Sequence, residues 1–129
     1  MTAQALQIDR ELERLEGLWE DGLAETYRSY LDTVDAYDVA DQPRLALAAA
    51  LIEAGLRLQG LGGRAAPAAP LLMGDLCLAR ASRLLADHAS QTLQVAFARA
   101  IEELSAVAAS QGEGRPVREL LIAAFQHSR

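Results

Sequence analysis

The chain is poor in the residues on which most enzyme and metal chemistry depends. It has one cysteine, Cys77, in 129 residues. That rules out an intrachain disulfide and a multi-cysteine zinc site. Histidine occurs only at His88 and His127. A metal centre needs three or four converging ligands, and Cys77 with His88 eleven residues on does not supply them. No nucleophile elbow or oxyanion loop is present for Ser-His-Asp chemistry, and the adjacent Glu102 and Glu103 read as a solvated helix face. Lysine is absent, so all 12 basic residues are arginine. They are outnumbered by 18 acidic residues, giving a net charge of −6. That balance argues against non-sequence-specific nucleic-acid binding, which needs a basic face to release counterions. It argues equally against docking on an anionic membrane. The longest apolar stretch, Leu45 to Leu56, contains Glu53 and falls short of a bilayer span. The opening Met-Thr-Ala-Gln has neither a basic region nor an apolar signal core. The expectation is a soluble, cytoplasmic protein with no stable membrane insertion.

Aromatic residues make up only 5% of the chain and β-branched residues are scarce, whereas 51% is hydrophobic. The apolar content is chiefly 26 Ala and 22 Leu, both strong helix formers. An all-α fold is therefore expected, as a single helical domain over residues 1–129. A domain of this size buries about two-thirds of its unfolded surface. A chain half apolar and divided among long helices is expected to need a partner chain to cover the rest.

Five helices are predicted. The first runs from about Ala3 to Val34, with Ile8, Leu12, Leu15, Trp19, Leu23, Tyr27, Tyr30 and Val34 at spacings of three and four. Gly17 and Gly22 are expected kinks. Asp35 to Asp41 reads as an acidic loop, with Asp41 as N-cap and Pro43 in the first turn of a second helix to Leu61. Within it, Glu53 and Arg57 form an i,i+4 pair in the favoured order. Gly60 to Pro70 reads as a linker; a phosphate-binding loop there would need a preceding strand and a Gly-Lys signature that are missing. The third helix spans about Pro70 to Asp87. Arg80, Arg83 and Asp87 form one polar stripe, and most of the remaining circumference is apolar, so burial on more than one side is expected. Asp75 lies off that stripe. It is expected either as a buried, hydrogen-bonded acceptor or as a carboxylate favoured by the helix macrodipole. Ser90 caps a fourth helix, about Gln91 to Gln111, with an apolar face of Leu93, Phe97, Ile101, Leu104 and Ala108. Pro116 opens a last short helix to Gln126.

The stretch Leu71-Leu72-Met73-Gly74-Asp75-Leu76-Cys77-Leu78-Ala79-Arg80-Ala81-Ser82-Arg83-Leu84-Leu85-Ala86 resembles the Leu-x-Gly-Asp-x-Leu-x-x-(Arg/Lys)-Ala segment and Leu-Leu-Ala ending of trans-polyprenyl diphosphate synthases. Phe97 to Leu104 is similar to that family's next helix, and Ala50 to Gln59 to the helix that leads into its first aspartate-rich motif. The similarity covers about Leu45 to Gln111. Where the family carries Asp-Asp-x-x-Asp, whose carboxylates bind magnesium and the allylic diphosphate, this chain reads Gly60-Leu61-Gly62-Gly63. Glu53 stands in place of the family's histidine before that motif. The Gly-Glu after the fourth helix is missing from Ala106 to Ala109. A sequence ending at Arg129 is also expected to lack the helix of the second aspartate-rich motif.

A short, motif-free relative resembles the non-catalytic small subunit of the heteromeric hexaprenyl- and heptaprenyl-type synthases. The resemblance implies a truncated isoprenoid-synthase-like bundle that pairs with a full-length catalytic subunit. In that role it would support activity and help set chain length for an all-trans product such as a menaquinone side chain. It implies no catalytic, cofactor or metal residues in this chain, with Mg2+ held by the partner. The expected partner face lies on the third and fourth helices: Gly74, Asp75, Leu78, Ala79, Ser82, Leu85, Leu93, Ala96, Phe97 and Ala100. Without its partner the chain is expected to form a homodimer across the same helices. The competing readings are a self-associating helical adaptor or regulatory protein, and an independent small enzyme or carrier.

Overall fold

The computed structural model describes residues 22–58, 68–110 and 117–128. They form five helices: α1 (Ala24–Leu31), α2 (Gln42–Leu58), α3 (Ala68–His88), α4 (Gln91–Ser110) and α5 (Val117–His127). The described residues contain no strand, so the fold is all-α as composition implies. Residues 3–21 of the expected first helix, with its kink at Gly17, and residues 60–67 of the expected linker lie outside the described residues, whereas residues 68–70, expected as linker, already belong to α3.

Gly22 has φ +123°, a region open to glycine and closed to an α-helical backbone. A regular α-helical backbone therefore does not run through it, in keeping with the kink expected at Gly22. The described part of the first helix begins at Ala24, with the Thr26 hydroxyl donating to the Gly22 carbonyl at 3.2 Å. It ends at Leu31 rather than Val34. Residues 32–41 then form turns, closed by the Thr33 N–H donating to Tyr30 and the Tyr37 N–H donating to Val34, each at 3.0 Å. The Gln42 amide braces this loop by donating to the carbonyls of Tyr37 (2.8 Å) and Asp35 (3.3 Å).

The central element is α2. Leu45, Ala46, Ala48 to Glu53, Gly55 and Leu56 are all buried, so this helix is enclosed around most of its girth. Alanine and glycine make that possible, because small side chains let neighbouring backbones come close. A Cβ added at Gly55 would lie 3.0 Å from the Gly74 carbonyl oxygen, 3.1 Å from Leu78 Cγ and 3.2 Å from Cys77 Cβ. The α2–α3 crossing is thus tightest at Gly55 and Gly74.

Here the structure corrects the sequence reading, which placed the multiply buried helix one element later. In α3 the buried positions Gly74, Cys77, Ala81 and Leu85 recur every three or four residues as one stripe. Asp75, Ala79, Arg80, Ser82, Arg83, Ala86 and Asp87 are exposed. α3 carries many leucines, yet only one neighbour, α2, packs extensively along it.

α4 buries Leu93, Phe97, Ala100 and Leu104, and α5 buries Leu120, Leu121, Ala124 and Phe125. Phe97 and Phe125 meet edge to face at 4.9 Å between centroids, and Tyr37 meets Phe125 at 5.8 Å, the geometry that aromatic quadrupoles favour. Ser90 caps α4 as expected: its Oγ accepts the Leu93 N–H at 3.2 Å. The buried residues of all five helices join in one core.

Candidate partner face and a buried carboxylate

Two features of the fold bear on function: the outward faces of α3 and α4, and a cluster around Glu53. Of the ten residues expected at a partner face, Gly74, Leu85, Leu93, Phe97 and Ala100 are buried in the chain's own core. This is a correction, and its cause is geometric. α2 takes up the small-residue stripe of α3, and α5 takes up the apolar face of α4. Leu78 and Ala96 are half-buried, and Asp75, Ala79 and Ser82 are exposed. The buried-acceptor expectation for Asp75 is likewise corrected. Asp75 follows Gly74, so helical geometry turns it about 100° from the stripe that meets α2.

What remains outward on α3 is a narrow face of Asp75, Ala79, Ser82 and Ala86, with Leu72 63% exposed at one end. Alongside it lie Arg80, Arg83 and Asp87, the polar stripe read from the sequence. Arg83 Nε is 3.9 Å from Asp87 Oδ2, an exposed pair of small energetic weight.

α4 and α5 line an open groove of about 600 Å³, with Ala96, Ala100, Ala123, Ala124, Arg99 and His127 among its lining residues.

Glu53 is 0% exposed. Three elements deliver its partners. From α1, the Tyr30 hydroxyl donates to Oε1 at 3.1 Å. From α5, Arg118 donates in bidentate fashion, Nε to Oε1 at 3.1 Å and Nη2 to Oε2 at 3.0 Å. From α2 itself, Arg57 Nη2 lies 3.3 Å from Oε2. The Arg118 guanidinium also sits 5.8 Å from the Tyr30 ring centroid, within cation–π range. Burial, with the Glu53 charge next in weight, pushes the Tyr30 hydroxyl well above its ordinary pKa of 10. The hydrogen bond to Glu53 raises the Arg118 pKa further. The carboxylate is therefore closed off, with its oxygens occupied by fixed donors, and the cluster reads as a structural keystone.

The sequence shows the Glu53–Arg57 pair but not Tyr30 or Arg118, which lie 23 and 65 residues from Glu53. A lone glutamate inside the run Leu45 to Leu56 was the available signal, since a charge in such a run needs a partner. Two other ties were also missed. Tyr37 donates its hydroxyl to the Phe125 carbonyl at 2.7 Å. Asp41, expected only as an N-cap, holds His88 Nδ1 at 3.1 Å from its Oδ1, joining the start of α2 to the end of α3.

Cys77 is fully buried, and burial pushes its thiol from 9.0 to about 11. Among the described residues no group of three or more His, Cys, Asp or Glu is placed to hold a metal ion, and no helix is long and apolar enough to cross a membrane. No protein-family model, curated protein or solved structure matches the chain.

Proposed function

We propose that the chain is a non-catalytic small subunit that pairs, in the cytoplasm, with a full-length trans-polyprenyl diphosphate synthase, supporting its activity and helping to set product length. One observation carries the reading. The three segments that resemble the synthases, 50–59, 71–86 and 97–104, fall in the family's order, the first on and just past α2 and the others on α3 and α4. The first two touch where Gly55 meets Gly74. Gly60 to Gly63 offers no carboxylate where the family binds magnesium, so ionisation of the allylic diphosphate is assigned to the partner. The partner is assigned to the exposed face of α3 around Asp75, Ala79 and Ser82.

The test is co-expression with a full-length synthase from the same genome that carries both aspartate-rich motifs. The purified chain alone, given farnesyl and isopentenyl diphosphates with Mg2+, is expected to make no product. The pair is expected to co-purify and elongate, and Ala79→Arg is expected to abolish pairing while leaving helicity intact. Condensation by the chain alone, or failure to associate with such a synthase, overturns the proposal.

A self-associating helical adaptor is the second reading. It is favoured by the placement of Gly74, Leu85, Leu93, Phe97 and Ala100 in the chain's own core, which leaves a smaller face for a large subunit. Concentration-dependent self-association that persists in the presence of the synthase would select it.

A further inference from the structure

We propose that the groove between α4 and α5 binds a single-chain amphiphile, an apolar chain with an anionic head, and that Arg99 and His127 hold the head. The groove holds about 600 Å³, within the range of small-molecule sites, about 300–1,000 Å³. Along α4 it runs from Thr92 to Glu103, eleven residue steps or about 16 Å of helix. Volume over length gives a channel about 7 Å across, narrower than an α-helix with its side chains at about 10–12 Å. A peptide helix would ride above this groove, whereas an extended hydrocarbon chain fits within it. The floor suits such a chain. Ala96 and Ala100 from α4 meet Ala123 and Ala124 from α5 there, and none of the four offers a hydrogen bond from its side chain. Val95 at the edge is 43% exposed, apolar surface that a bound chain would take out of water.

The two ends of the groove differ in charge. Residues 111–116 join α4 to α5, a short connection of the kind that sets neighbouring helices antiparallel, and the Phe97–Phe125 contact fixes their register. His127 and Ser128, just beyond Phe125, therefore lie beside the start of α4, and Leu120 lies beside Glu103. Helical side chains lean toward the N-terminus of their helix, which carries the Arg99 guanidinium toward the His127 end. Arg99 is exposed and always charged, and among the described residues no carboxylate pairs with it. Its planar fork matches a carboxylate or a phosphate, and the His127 ring offers an N–H in either protonation state. Glu103 at the opposite end repels an anionic head, so the ligand lies in one direction, with its head at Arg99 and His127 and its chain along the alanines. The proposal is independent of the synthase reading, because it leaves the exposed face of α3 open.

Titration calorimetry of the full chain tests this, with decanoate, decyl phosphate and decyltrimethylammonium as probes, each below its micelle concentration. The anions are expected to bind saturably, one per chain, and the cation not to bind. Binding of one anion and not the other supports the site and identifies its head group as carboxylate or phosphate. Arg99→Gln is expected to weaken anion binding about tenfold or more, the loss of a charged hydrogen bond. Ala123→Phe, which fills the trough, is expected to abolish it, with helicity by circular dichroism unchanged in both variants. Arg83→Gln, which removes the same charge from the exposed pair on α3, is expected to leave binding as it was. No saturable binding of either anion, equal binding of the cation, or anion binding indifferent to Arg99→Gln overturns the proposal.

Discussion

Glu53 places a carboxylate inside the core, where an unpaired charge is not tolerated. The cluster is stable because Arg118 supplies two donors in a fixed fork, Tyr30 a third and Arg57 a fourth. Removing the acid leaves the buried Tyr30 hydroxyl without its acceptor and a gap in the core, while Arg118 and Arg57 keep access to solvent. Glu53→Ala is expected to cost about 2–4 kcal/mol, from the unsatisfied hydroxyl and the cavity together. Tyr30→Phe, which leaves Arg118 in place, is expected to cost only about 1 kcal/mol. Urea denaturation followed by circular dichroism measures both, and near-equal losses would show that the keystone is not the carboxylate. Cys77 gives a second residue-scale expectation. Burial holds its thiol protonated up to about pH 11, against an ordinary 9.0. The unfolded chain therefore gives up this proton first as pH rises. The stability linked to Cys77 is fully present below pH 9 and is lost between pH 9 and about 11. Tyr30 acts in the same direction but starts from an ordinary 10, so the interval between pH 9 and 10 isolates the thiol. The urea midpoint is expected to fall across that interval in the unmodified chain and to stay level in Cys77→Ala.

At the scale of helices, the contact between α2 and α3 sets two effects against each other at Gly55. Alanine there would gain about 1 kcal/mol in helix propensity. Its Cβ would press on the Gly74 carbonyl at 3.0 Å, and a helix backbone cannot swing aside as a side-chain tip can. Overpacking of this kind costs about 1–3 kcal/mol, so Gly55→Ala is expected to be net destabilising. A raised melting temperature would show that the two helices can part cheaply. Ser90→Ala, which removes the cap on Leu93 N–H, is expected to cost about 1 kcal/mol. The contrast between these two sites also marks what a sequence can reveal. Helix limits depend on local chemistry, and Ser90, Pro43 and Pro116 each announce theirs. Partnership between helices does not. The stripe Gly74-Cys77-Ala81-Leu85 has the same pattern whether it meets another chain or, as here, α2. The contacts of Glu53 with Tyr30 and Arg118 leave no periodic trace at all.

For the molecule as a whole, the five helices share one core but are not equally tied to it. α2 packs extensively on α3 and also against α1, whereas α4 and α5 pack chiefly on each other. Among the described residues, the links between these two groups that involve polar or aromatic side chains are specific. Arg118 reaches Glu53, Tyr37 reaches the Phe125 carbonyl, and the Tyr37 and Phe125 rings touch. The turn at Ala89 and Ser90 adds the covalent link. A structure joined in this way opens first along its seam, because partial unfolding follows the boundary that breaks the fewest favourable contacts. Amides of α4 and α5 are therefore expected to exchange with solvent at lower free energy than those of α2 and α3. The double variant Tyr37→Phe with Arg118→Met removes both hydrogen-bonded ties without emptying the aromatic contact. It is expected to lower protection in α4 and α5 by about 2–4 kcal/mol, the sum of a neutral and a charged hydrogen bond with the buried acceptor left short of donors. Arg57 stays beside Glu53 and offsets part of the loss, so α2 and α3 are expected to change less. Native-state hydrogen exchange read helix by helix decides the matter. A uniform fall across all five helices would mean that the core opens as one unit and that the seam has no independent existence.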